Sequence, residues 1–582
     1  MKNLLITIVC FFGSLFSYAQ TPTTNWGEEF KMKKGSTDLE VVYADKTGVF
    51  VREGHRVLKS YFVIGATTRE SATLIKLDKT FAEEYRNDYN KELKGKEFED
   101  FFFIKDKLYI LASKYEKKER TVQLFAAEVN KKDGEVTGEW KNVTSWQKEE
   151  KKDELNYNFS YNSDSTKMIA VSTDEGREKN KFEVKQFDVK MNAVGSPITI
   201  TNEYDPKTFQ LEDVIYTTAG NVLLVGRVYE FEEGKKKKTK NLQFKNYVVR
   251  LYSTTGVLLK EINTEIDAKW LISTKVAQIP NKDIVLAAFY SNTKKGKEIN
   301  GMLVQRINAG NGEVISTSQK ELNTSLISAI DETQDNTDDG DDESKQERKE
   351  REKLEKIKDE EDGFSKYLRF RNFVYTDDKG IVILAEKYHH YTYSTTNFNA
   401  GGFGGMAGGS RTTFYDVYEC GDMMMSKMDQ TGNISWLHVL PKNQKEIIQS
   451  STSNAGMGLS FNVGSNFFSV YNFPFYAGLG SLALPGKNSL AILFNDNSKN
   501  ENVLQLGQKV KLATRFSKTE CYAVYLDAAT GKYTRKSIFS NRDQPTAMPR
   551  LGIAIGKDFY LIGKEDKLIG KTKIAVGKIT FK

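Results

Sequence analysis

Four histidines, His55, His389, His390 and His438, are the only imidazoles in 582 residues. A metal centre needs several such groups, or carboxylates, converging on one point. His389 and His390 are neighbours in the run Tyr388-His389-His390-Tyr391-Thr392-Tyr393, which reads as a strand. Their side chains then point to opposite faces, so only one can serve any single site. The run fits an aromatic cross-strand surface better than a ligand cluster. The acidic stretch Asp335-Asn336-Thr337-Asp338-Asp339-Gly340 has the outline of a Ca²⁺ loop. With Gly340 at the sixth position, the third is Thr337 and the twelfth is Gln346, where an oxygen-rich ligand and a bidentate Glu are needed. Weak, nonspecific attraction of Ca²⁺ is what that run can offer. No G-x-S-x-G elbow, Walker A loop or dinucleotide fingerprint occurs. Carboxylate pairs carry no information without geometry in a chain of 78 acids. The basic tip Lys235 to Lys238 lacks the interleaved aromatics that stack nucleic-acid bases, and reads as a solvated hairpin end. No catalytic, cofactor or metal-binding residue is assigned on this basis.

What must position any site is a repeated hairpin. Met423 to Met428 runs into Asp429-Gln430-Thr431-Gly432-Asn433, and Ile434 to Leu440 leaves. Asp heads such a turn by bonding its own backbone, and Gly supplies the positive φ. Weaker copies follow strands at Leu77, Val129, Val189, Tyr252, Ile307 and Leu526. A second hairpin precedes most of them, as in Phe101 to Ile104 turning into Leu108 to Ala112. A repeat of about 50–65 residues is the scale of a four-stranded propeller blade. After Ile574 to Phe581 the chain stops one strand short, while Trp26 to Met32 is an orphan strand. The expectation is an all-β propeller of eight four-stranded blades, with seven as the alternative, closed by the N-terminal strand. Closure hides an otherwise unpaired edge.

The composition agrees. Tyr and Phe number 28 and 35, which favours strands, and 85 basic against 78 acidic residues give a mixed-sign surface. Residues 1–19 read as a signal peptide: Lys2, the apolar run Leu4 to Phe16, and Ser17-Tyr18-Ala19 before Gln20. The run is too short to anchor, no later stretch spans a bilayer, and no lipobox precedes the cut. Export to the periplasm, outer membrane or exterior is expected, with residues 20–582 forming one domain. Cys420 and Cys521 are then the mature cysteines, expected as separate thiols.

Two insertions break the repeat. Residues 331–362 alternate charge and read as a flexible tether or solvated helix. Residues 394–413, with AGGFGGMAGGS, read as a mobile glycine-rich loop between the second and third strands of blade 6. Asn472 to Asn488 is a third irregularity, in blade 7. Propeller rims bind through loops, so Phe398, Phe403, Phe475 and Tyr476 are the candidate partner-binding anchors. The expected function is a non-enzymatic binding scaffold of the cell envelope. Its partner would be a protein or an outer-membrane assembly, not nucleic acid. The alternative is a glycan-active hydrolase or lyase with carboxylates at the central channel.

The segment Asp422 to Trp436 resembles short propeller repeats of exported bacterial proteins, of the form D-x-φ-φ-x-K-φ-D-x-x-G-N-φ-x-W. The matching residues are Asp422, Met424, Met425, Lys427, Met428, Asp429, Gly432, Asn433, Ile434 and Trp436. The N-terminal ending with Gln20 looks like exported proteins of the Bacteroidota. The resemblance implies a propeller and no reaction. It departs from the pattern after the last strand, where Pro441-Lys442 replaces the usual Gly-Gly.

Overall fold

Local turn chemistry builds the strands into eight antiparallel sheets in a computed structural model of the chain. It describes residues 22–32, 36–60, 66–148, 154–162, 165–175, 180–202, 204–233, 240–262, 265–266, 269–278, 283–293, 299–322, 368–398, 410–455, 474–565 and 573–581. Asp429 shows how a turn is made: its carboxylate accepts the N–H of Thr431 and of Asn433, and Gly432 sits at φ +96°. Asp78, Asp188, Ser253 and Asn308 repeat the device.

Blade 1 consists of Ser36–Asp45, Gly48–Ser60, Ala66–Leu77 and Glu83–Asp88. Blade 2 is Glu97–Ile104, Lys107–Glu116, Thr121–Val129 and Val136–Gln147. Blade 3 is Glu154–Tyr161, Met168–Glu175, Asn180–Phe187 and Ala193–Asn202. Blade 4 is Phe209–Tyr216, Val222–Glu233, Lys240–Tyr252 and Leu258–Ile262. Blade 5 is Lys269–Gln278, Ile284–Ser291, Gly301–Ile307 and Val314–Glu321, with Glu265–Ile266 beside its first strand. Blade 6 is Leu368–Tyr375, Ile381–Phe398, Ser410–Met428 and Ile434–Leu440. Blade 7 is Gly480–Leu484, Ser489–Asp496, Glu520–Asp527 and Tyr533–Ser540. Blade 8 starts with two short pieces, Thr546–Ala547 and Ile553–Ile555, and continues through Asp558–Glu565 and Lys573–Thr580.

The missing strand of blade 8 comes from the N-terminus. Thr23 lies opposite Thr580 and Trp26 opposite Gly577; Phe30 and Lys31 pair with Ile574 and Lys573. The single strand expected over Trp26 to Met32 is thus two pieces, Thr23–Trp26 and Phe30–Lys31, joined where the Gly27 N–H donates to the Val576 carbonyl. The Trp26 indole needs the absence of side chains at Gly563 and Gly577, whose added Cβ atoms would each lie 2.6 Å from it.

Packing settles eight blades over seven. Each buried hydrophobic cluster between sheets joins one blade to the next. Phe50 and Leu74 of blade 1 meet Phe101 and Ile110 of blade 2. The series continues through every junction to blade 7 with blade 8, where Leu482 meets Phe559. The eighth cluster joins Ile562 and Val576 of blade 8 to Leu39 and Val41 of blade 1, so the ring is closed. A strand buried on both sides splits its side chains between two clusters. In Ile284–Ser291, Ile284, Leu286, Ala288 and Tyr290 face blade 4, while Val285, Ala287 and Phe289 face blade 6. Met423 and Met425 face blade 7 and Met424 faces blade 5, as expected for strand residues packed between blades. Cys420 and Cys521 are separate buried thiols, and burial pushes the Cys420 thiol up to about 12. Among the described residues no helix is long and apolar enough to cross a membrane. Residues 1–21, Lys235 to Lys238 and the insertion 331–362 lie outside the described residues.

Candidate functional site

The first strand of each blade lines the inner wall of the ring, and from blade 4 round to blade 1 the first strands of neighbouring blades approach one another. In five of the first strands the register carries an extra residue, and in blade 1 a second one at Thr37. Val42, Glu99, Glu212, Ile272 and Arg371 have no partner in the second strand, because their flanking residues oppose consecutive residues there. Such bulges bend the strand and re-aim a side chain, and they gather beside functional sites. The next residue secures three of them. Asp100 accepts the Phe101 N–H at 2.8 Å, Asn372 accepts the Phe373 N–H at 2.9 Å, and Asp213 bonds the Val214 N–H. The sequence signal is an apolar residue, a charged one, Asp or Asn, then an apolar one: Phe98-Glu99-Asp100-Phe101, Leu211-Glu212-Asp213-Val214 and Phe370-Arg371-Asn372-Phe373. Period-2 reading alone passes over it, since the extra residue exists only relative to the partner strand.

Two chemical environments result. In blades 2 and 3, Glu99 is bonded by Ser113 and lies near Tyr157. Burial, with Glu97 and Asp100 nearby, pushes the Glu99 carboxyl up to about 7. A carboxyl raised on folding is protonated in the folded chain while ionised in the unfolded one between about pH 4.5 and 7. Its contribution to stability therefore falls as pH rises through that window. Glu99→Gln is expected to be more stable than wild type at pH 8, and the gap should close at pH 4.5. Urea melts at the two pH values measure this; a gap that is equal at both would contradict it.

In blades 4, 5 and 6, a cavity of about 200 Å³ is lined by Glu212, Asp213, Arg227, Thr274, Lys275 and Arg369, among others. Glu212 and the Tyr247 hydroxyl each lie 2.9 Å from Arg227 Nε. Burial raises the Glu212 and Asp213 carboxyls above their ordinary values. Burial, with Arg227 close by, lowers Arg369.

The second unusual feature is a wing. Ile381–Phe398 and Ser410–Met428 belong to blade 6 only as far as Glu386 and Met423. Past a bulge they stay paired, from Tyr388 opposite Cys420 to Phe398 opposite Ser410. A third strand, Gln444–Ala455, pairs with Ser410 to Cys420 on the other side. At the usual rise of a strand the extension is roughly 35 Å long. His389 and His390 point to opposite faces, as expected. His389 lies 3.6 Å from Glu419, whereas His390 stacks on Tyr418 and lies 2.9 Å from Asp416. The Tyr418 face shares a core with Ile448, Phe475, Met548 and Leu39, so the wing root rests on blades 8 and 1. The opposite face carries Tyr391, Tyr393, Val417 and Tyr415, with Tyr393 stacked on Tyr415 at 4.9 Å.

Buried charges pin this root. Lys442 Nζ contacts Glu386 at 2.6 Å, Gln444 Oε1 at 2.7 Å and the Cys420 carbonyl at 3.0 Å. Arg371 Nε donates to the other Glu386 oxygen at 2.7 Å. Burial opposes ionisation of Glu386, but Lys442 and Arg371 hold its carboxyl below the ordinary range. Lys442, part of the departure from the repeat pattern, is thus the residue that fastens the wing. Glu446 accepts the N–H groups of Phe475, Tyr476 and Ala477, tying the third strand to the entry of blade 7.

Of the expected anchors, Phe475 is 4% exposed and belongs to the core, and Tyr476 is half-buried against Cys420 and Phe516. The Glu446 carboxylate fixes their backbone, which turns Phe475 inward; it cannot reach a partner from there. Phe398 closes the wing strand, and Phe403 lies outside the described residues. The glycine-rich stretch 394–413 is not all loop. Ser394 to Phe398 and Ser410 to Thr413 are paired strand, because Thr395, Thr396, Thr412 and Thr413 suit a pleated ladder. Sequence reasoning missed the third wing strand, whose polar run QSSTSNA has little apolar alternation.

These features define an eight-bladed β-propeller with a charged inner wall and a three-stranded wing. No family model matches the chain, and no curated protein matches it. Among solved structures, it is similar to the β-propeller domain of the Trilobed protease from Pyrococcus furiosus. The TM-score is 0.30 at 8% identity, over 88% of this chain and 98% of that one. The polysaccharide lyase Uly1 aligns with a TM-score of 0.33 at 9% identity, over 83% and 89%. An α-L-arabinanase from Penicillium chrysogenum gives 0.27 at 9% identity, over 52% and 98%. At these scores the likenesses bear on neither activity nor ligand, and the fold assignment rests on the eight sheets and eight interfaces.

Proposed function

We propose that the protein is a non-enzymatic binding scaffold, exported to the cell envelope, whose binding element is the blade 6 wing. The observation that carries this is the extension itself. Ring closure does not need paired strands running past Glu386, yet the chain fixes them with a third strand and a buried charge cluster. Near its root one wing face is committed to the propeller core; farther out the wing exposes Thr392, Phe414 and Ile447, while Tyr391 and Tyr393 are buried. Phe414 is thus an exposed aromatic on a rigid element, a residue type enriched in interfaces. The partner is a protein or an envelope assembly. Replacing residues 394–413 with a two-residue turn is expected to leave the melting temperature within about 2 °C, because the replaced stretch lies beyond the pinned root. The same change should abolish partner recovery from native cells. Equal recovery by the shortened variant would sink the proposal.

A second reading, a glycan-active enzyme, draws support from one arrangement: the Glu99 carboxyl is bonded by Ser113 beside Tyr157 on the inner wall, where burial pushes it up to about 7. It requires turnover of an oligosaccharide that Glu99→Gln removes without loss of folding. Turnover unaffected by that change would exclude Glu99 as its acid or base.

A further inference from the structure

The cavity between blades 4, 5 and 6 has more positive than negative charge. Arg227, Lys275 and Arg369 face Glu212 and Asp213. Arg227 is engaged by Glu212 and Tyr247. Arg369, by contrast, forms no ion pair among the described residues; its one hydrogen bond is a 3.5 Å contact to the Leu368 carbonyl. It is also pressed by the neighbouring guanidiniums of Arg227 and Arg371. A half-buried guanidinium with no carboxylate in ion-pair contact, offset only by the more distant Glu212 and held near two other guanidiniums, is costly unless an anion joins it. The Thr274 hydroxyl is buried at the same wall with no hydrogen-bond partner among the described residues. Lys275 is likewise in no ion pair among the described residues.

The charge balance selects the anion. Three cations against two carboxylates leave one positive charge, which a monoanion neutralises and a phosphate dianion overshoots. The fork of Arg369 matches the two oxygens of a carboxylate. The acids select the rest of the ligand. Asp213 accepts one backbone N–H and lies near Lys275 without an ion-pair contact, so its remaining oxygen sites can accept from ligand hydroxyls. The cavity volume of about 200 Å³ suits one small molecule and not a polymer segment.

We propose that this cavity binds a small hydroxylated monocarboxylate, a sugar acid, with its carboxylate on Arg369 and Lys275 and its hydroxyls on Asp213 and Thr274. This goes beyond the scaffold reading and does not depend on the wing.

Titration calorimetry with D-glucuronate, D-glucose and inorganic phosphate tests it on the full chain. Glucuronate is expected to bind, glucose not to bind measurably, and phosphate to bind more weakly than glucuronate. Arg369→Gln should weaken glucuronate by ~10- to 100-fold, the usual loss for a charge-assisted hydrogen bond. Wild-type far-ultraviolet circular dichroism of that variant guards against misfolding. Lys275→Gln, on a different blade, provides an independent loss of similar size. No heat with glucuronate at millimolar concentration, equal binding of glucose, tighter binding of phosphate, or unchanged affinity in both variants would each overturn the proposal.

Discussion

A chain lacking residues 22–32 is expected to lose the closed ring. Those residues supply the last strand of blade 8, and without them the outer edge of Lys573–Thr580 is left with unpaired N–H and C=O groups. An exposed edge strand recruits other chains, so the truncated protein should form dimers and larger species on size-exclusion chromatography. Trp26 concentrates much of the effect. Its indole lies on Gly563 and Gly577 and meets Phe539 edge to face at 5.7 Å. Trp26→Ala should cost ~2–3 kcal/mol, below the ~3–5 kcal/mol of a fully buried aromatic because the indole is half-buried. A synthetic peptide covering residues 22–32 should return the truncated protein to a monomer. A truncated protein that is monomeric with wild-type stability would show that the ring holds without its closing strand.

The second large effect is expected at the wing root. Lys442→Met removes the ammonium from a site where both it and Glu386 are fully buried. Replacing a buried pair entirely can be neutral, but removing one partner leaves an uncompensated charge and costs ~3–5 kcal/mol. Arg371 still contacts Glu386, which places the loss toward the lower end. Pairing Lys442→Met with Glu386→Gln in a double-mutant cycle should show strong coupling, the double variant losing less than the two single losses added. Denaturation midpoints for the four proteins measure it. Additive losses would mean that the two side chains do not act as a unit.

Much of the ring was legible because its signals are local. An Asp at the head of a turn bonds its own backbone whatever surrounds it, so Asp429 and Asn308 could be read as turns directly. The missing last strand and the orphan first one required only counting. The inner wall was not legible in the same way. Glu99, Glu212 and Arg371 look like the polar half of an alternating strand until the partner strand shows that each is an extra residue. Lys442 stood out only as a departure from a pattern; its reason is a carboxylate 56 positions away in sequence. Phe475 illustrates the opposite error. Its glycine-rich surroundings suggest an exposed rim, but Glu446 from the wing captures the backbone there and turns the ring inward.

The claim that the wing is the binding element is tested most directly by site-specific photo-cross-linking in native cells. A photoreactive residue at exposed Thr392 on the wing is compared with one at exposed Ser160 on blade 3. A discrete cross-linked species is expected from position 392 and none from position 160. Cross-links from position 160 alone, or the same species from both, would contradict it.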